Sequence, residues 1–116
     1  MTKQKHLIEH LLRLNTTIKL FQYSATNKVV FEECKEFTKE LPSIIDDIVM
    51  EHQVKVNTLL SFEIGEVISI DNDTLMTLLQ SSQKYIADNT ESINPAFINK
   101  FDTLISKLIY NIKFLS

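Results

Sequence analysis

Tryptophan is absent from this chain of 116 residues. Glycine, cysteine and arginine occur once each, at Gly65, Cys34 and Arg13, and proline stands only at positions 42 and 95. Each scarcity removes something. Barrels, sandwiches and phosphate-cradling loops need glycine at tight turns and at positive φ, so a single glycine weighs against all of them. One thiol leaves no internal disulfide and suits a reducing compartment, which sets the expectation of a cytoplasmic protein. No apolar run approaches the roughly 20 residues that cross a bilayer, so no membrane partner is expected. His6, Glu9, His10 and Arg13 interrupt the first apolar stretch, which therefore reads as an amphipathic helix rather than a signal-peptide core. Basic charge is not in excess either. Lys+Arg 12 against Asp+Glu 15 gives a net charge of −3, which argues against direct nucleic-acid binding.

What is present is apolar periodicity at helical spacing. Hydrophobic residues make up 44% and charged residues 23%, the balance of a globular protein, and the length suits one domain over 1–116. The cleanest stripe is Val30, Cys34, Phe37 and Leu41, spaced four, three and four. Residues 3–23 carry another, Leu7, Leu11, Leu14, Ile18 and Phe21, widened by Ile8, Leu12 and Leu20. Such a face needs more than one neighbour, inside a bundle or across a homodimer. Thr26 or Asn27 caps the second helix, and Pro42 either kinks it or ends it. Ser43 and Asp46 have capping-box spacing, yet the stripe runs on through Ile44, Ile45, Ile48 and Val49.

From Val54 onward a helix to about Ile64 is expected, with Gly65 left-handed after its end and Val67, Ile68 and Ile70 in an extended connector. The alternation of Phe62 with Ile64 and of Ile68 with Ile70 keeps a short hairpin open as the alternative. Asp71 caps the next helix, whose Leu75, Leu78, Leu79, Tyr85 and Ile86 face the core. Asn94 as cap and Pro95 at the first helical position start the last helix, with the stripe Phe97, Phe101, Leu104, Leu108, Ile112 and Leu115. The fold class read from this is all-α, a compact antiparallel four- to five-helix bundle.

Chemistry is sparser. Glu32, Glu33, Glu36 and Glu40 fill the polar side of the Val30–Leu41 stripe, and Asp46 and Asp47 follow. Read as a surface, Glu32, Glu36, Glu40 and Asp47 form an acidic face suited to a basic protein partner. His6, Glu9 and His10 spell H-x-x-E-H, the metal-binding pattern of inverzincin metalloproteases, but six residues from the start of a short chain a partly exposed helix face is the expectation. Glu33-Cys-Lys-Glu36 and Glu63-Ile-Gly-Glu66 each place two carboxylates three apart, a spacing that puts both on one helical face. The words FEECKEFTKEL and EIGEV resemble the MazG-like all-α nucleoside triphosphate pyrophosphohydrolases, with Glu66 standing where that family has aspartate. The resemblance implies Mg²⁺ ligation by Glu33, Glu36, Glu63 and Glu66, with Lys35, Lys39 or Lys55 as phosphate contacts. The reading placed ahead of it is a small non-enzymatic protein without cofactor, working through protein–protein contacts in the manner of an adaptor, chaperone, immunity or inhibitor protein.

Overall fold

The computed structural model describes residues 2–57 and 61–115, apart from the side chains at 2, 56 and 92. Among the described residues four α-helices follow one another: α1 (Thr2–Ser24), α2 (Lys28–Val56), α3 (Asn72–Asp88) and α4 (Pro95–Leu115), with a single 3-10 turn at Thr90–Ser92 before α4. The described residues contain no strand. None of the helices is long and apolar enough to cross a membrane. α1 packs on α2 and α3, and α4 packs on the same two helices. At 1.5 Å per residue the 29 residues of α2 span about 43 Å, which accounts for the long dimension of 44 Å in a body 27 and 21 Å across.

The helix starts follow their capping chemistry. Asn27 Oδ1 accepts from the amides of Val29 and Val30 at 2.9 and 3.3 Å, and Asp71 Oδ1 accepts from Thr74 at 2.8 Å. Asn94 Oδ1 accepts from Ala96 at 2.9 Å. Each side chain satisfies amide donors that the first helical turn leaves without an intrahelical partner.

Pro42 does not divide the second helix. α2 runs through it, so the restart at Ser43 and Asp46 does not occur. An internal proline costs about 3 kcal/mol. Against that, Leu41, Ile44, Ile45 and Ile48 are all buried on either side of it, each contributing about 1.5–3 kcal/mol, and burial wins.

The stretch after Val54 differs more. α2 ends at Val56, not near Ile64, because Asn57 takes the left-handed conformation at φ 52° and returns its amide to the Gln53 carbonyl. Residues 58–60, the middle of the expected extension, lie outside the described residues. From 61 to 70 the chain has no regular secondary structure, so neither the helix nor the hairpin forms there. Gly65 is left-handed as expected, at φ +68°, but inside this connector rather than after a helix.

The core gathers one stripe from each helix. Leu7, Leu11, Leu14 and Ile18 of α1 meet Cys34, Phe37 and Leu41 of α2, Leu75 and Leu79 of α3, and Phe101, Ile105 and Leu108 of α4, all essentially inaccessible. Tyr85, Leu78 and Phe97 pack against that core only partly, and Leu115 is exposed rather than on the buried stripe.

Candidate functional site

Three of the four acidic residues singled out for a partner come together. Glu36, Glu40 and Asp47, with Lys39 among them, line one wall of a groove of about 730 Å³ between α2 and α4, with Ile44 and Leu104 beneath and Lys100 and Lys107 opposite. Helical periodicity explains the wall. Positions 36, 40 and 47 share one face of α2, adjacent to the buried stripe of Phe37, Leu41 and Ile44. Glu32 is exposed one turn earlier on α2 and does not line the groove. Across it Lys107 Nζ meets Glu36 Oε1 at 3.0 Å, and this hydrogen bond, with the carboxylate charge, holds the lysine above its ordinary pKa. Both side chains stay largely solvated, so the pair sets the local sign of the field more than it stabilises the fold.

The four carboxylates of the Mg²⁺ reading are placed differently. Glu33 and Glu36 lie on α2 beside Leu104 and Lys107 of α4, while Glu63 and Glu66 belong to the connector, which is not helical. The expected second ligand helix is therefore absent, and without helical spacing two carboxylates three apart are no longer set on one face. Among the described residues no group of three or more His, Cys, Asp and Glu side chains is placed to hold a metal ion. Of the phosphate contacts, Lys55 pairs with Glu51 at 3.3 Å. Cys34 is itself part of the core, and burial first and the Glu33 charge second push its thiol up to about 12, so it stays protonated.

The H-x-x-E-H residues have other partners. Glu9 Oε2 accepts from the Glu63 amide at 2.7 Å, and one turn on Arg13 donates to the Ile64 carbonyl. Together they strap the connector onto α1. Between them His10 stacks on Tyr85 with ring centroids 4.6 Å apart, and its Nε2 lies 3.0 Å from Ser82 Oγ on α3, where the serine is fully buried. Burial and the neighbouring Arg13 charge lower the His10 pKa. His6 is exposed.

One further place stands outside every motif of the sequence. A cavity of about 380 Å³ lies where the start of α1, the last turns of α2 and the start of α4 meet, lined among others by Gln4, Glu51, His52 and Phe97. His52 is only 9% exposed, and both its Nε2 and Gln4 Oε1 are buried with no hydrogen-bond partner among the described residues. Each such atom costs about 1–3 kcal/mol relative to a paired one. The signal was present: Ile45, Ile48 and His52 continue the buried stripe at spacings of three and four, which places a histidine at a core position.

Compared with protein-family models, with curated proteins and with solved structures, the chain matches none of them.

Proposed function

We propose that this chain is a non-enzymatic protein of the cytoplasm, folded as an antiparallel four-helix bundle, that acts by docking another protein through the groove between α2 and α4. Several contacts support the antiparallel arrangement. Glu36 meets Lys107 while Glu51 meets Asn94 beside the start of α4, so numbering rises along α2 as it falls along α4. Gln83 of α3 likewise reaches Asp102 and Ser106 of α4, following a short connection. A free buried thiol suits a reducing compartment.

The observation that carries the docking role is the groove itself: an apolar floor of Ile44 and Leu104 beneath an acidic wall of Glu36, Glu40 and Asp47. Lys107 already answers Glu36. Glu40 and Asp47 make no ion pair among the described residues, nor do Lys39 and Lys100 in the same lining, and the partner segment expected is one that sets basic side chains against the two carboxylates beside an apolar anchor. Such a surface suits an adaptor, chaperone, immunity or inhibitor role.

The test uses wild-type protein and the double variant Glu40→Lys/Asp47→Lys as paired baits in a native extract, followed by association kinetics with whatever the wild type alone retains. A partner with a basic contact segment, associating about tenfold more slowly with the variant at low salt, supports the reading. The gap should narrow as salt rises. Equal capture and equal association rates would remove this groove as the docking surface. Glu32→Lys, outside the groove, is expected to slow association less than either substitution within it.

A further inference from the structure

We infer that the cavity beside His52 binds a small organic cation, an alkylammonium or alkylguanidinium group, either free or at the tip of a lysine or arginine side chain. The cavity is separate from the α2–α4 groove, so its fate does not depend on the docking role.

The unsatisfied chemistry there is accepting. Gln4 Oε1 can only accept a hydrogen bond, and it is buried without a donor. His52 Nε2, equally unpartnered, accepts in the tautomer that carries its proton on Nδ1. Two carboxylates stand around the same space, Glu51 and Glu91. Lys55 and Asn94 already engage Glu51, at 3.3 and 3.5 Å, whereas Glu91 makes no ion pair among the described residues. The lining therefore carries one negative charge in excess together with an idle acceptor at Gln4 Oε1 and, in that tautomer, a second at His52 Nε2. A ligand presenting several N–H donors and a positive charge fits it.

Other occupants fit less well. An anion would face both carboxylates, and the first amide that α4 offers, that of Ala96, is taken by Asn94 Oδ1. A metal ion lacks a grouped donor set among the described residues. A single water occupies about 30 Å³, far less than the 380 Å³ here, which falls in the range of small-ligand pockets. Ile48, Ile93 and Phe97 supply apolar wall for a short stem. The result is a lining with acceptors for the charged head and hydrocarbon for the chain behind it.

The full-length protein would be titrated with n-butylamine, agmatine and sodium butyrate while backbone amide resonances are followed by NMR. Both cations are expected to shift amides of residues 48–55, 91–94 and 96–97 saturably, with dissociation constants of about 1 mM, and butyrate is expected to leave them unmoved. Glu91→Gln, an exposed position where folding is not at stake, and Gln4→Leu should each weaken cation binding about tenfold. A short peptide carrying one lysine distinguishes the sources. Tighter binding of the peptide than of butylamine assigns the cation to a protein partner, and the reverse assigns it to a free amine. No saturable shift with either cation up to about 50 mM overturns the proposal. So does binding of butyrate equal to that of the cations, or cation affinity unchanged in both variants.

Discussion

At the scale of single residues, the only glycine in the chain is also the most constrained position outside the helices. Gly65 holds φ +68°, and a Cβ placed on it would stand 3.0 Å from Arg13 Nη2, the guanidinium nitrogen that donates to the Ile64 carbonyl. The guanidinium is the mobile end of a side chain and can give way. The backbone cannot, because an alanine in the left-handed region is strained by about 1–2 kcal/mol. Gly65→Ala should therefore lower unfolding free energy by about 1–2 kcal/mol in denaturant titration, and Gly65→Asn should lower it less, since asparagine tolerates that region. An alanine variant as stable as wild type would mean that the connector relaxes away from α1. The residue alone signalled a positive φ. What it could not signal was the reason, since the expected place was the end of a helix and Asn57 fills that role instead.

Among elements, those whose start and stripe are both local were legible in the chain. α1, α3 and α4 lie close to where apolar spacing put them, and Asn27, Asp71 and Asn94 cap as their positions suggested. Two features were not legible because distant contacts decide them. α2 survives Pro42 through burial against α1 and α4, and the irregular connector is held to α1 where Glu9 and Arg13 meet the backbone of Glu63 and Ile64. The acidic wall at Glu36, Glu40 and Asp47 followed from helical phase, whereas the two pairs of carboxylates needed a helix at Glu63 and Glu66 that does not form. The contact of α1 with α3 is similarly remote in sequence, and it carries a titration. His10, joined to Ser82 and Tyr85, has its pKa lowered by burial first and the Arg13 charge second. The folded state thus prefers the neutral imidazole. Its contribution is complete above the unfolded value of about 6.5 and is lost as pH falls below that, through the lowered folded pKa. Unfolding measured from pH 8 to 5 should show wild type losing stability below about pH 6.5 relative to His10→Gln, which keeps a polar group near Ser82 but does not titrate. A constant difference between the two across that range would show that His10 is free to protonate in the folded protein.

For the molecule as a whole, the question left by the apolar surface is whether two copies associate. The wide face of α1 suggested a neighbour beyond the chain, but Leu7, Ile8, Leu11, Leu14 and Ile18 are consumed within the fold. Among the described residues Tyr23, Met50, Val54 and Ile68 are exposed elsewhere, and on the last turns of α4 Tyr110, Phe114 and Leu115 are 55%, 63% and 56% exposed, with the two aromatic rings leaning together 5.1 Å apart. A patch held by three side chains at one end of a 44 Å body covers little area, well short of what stable dimers bury. Any self-association is therefore expected to be weak and to depend on that end. Light scattering and small-angle scattering over a concentration series should give a monomer mass and a radius of gyration somewhat above the 14.2 Å of the Cα trace at dilution, both rising at high concentration, and Phe114→Ser should abolish the rise. A mass that stays monomeric at every concentration would rule out homodimerisation. A stable dimer insensitive to Phe114→Ser would place the interface elsewhere, with the α2–α4 groove as the next surface to test, because there an acidic wall faces a basic one and a second copy could satisfy both.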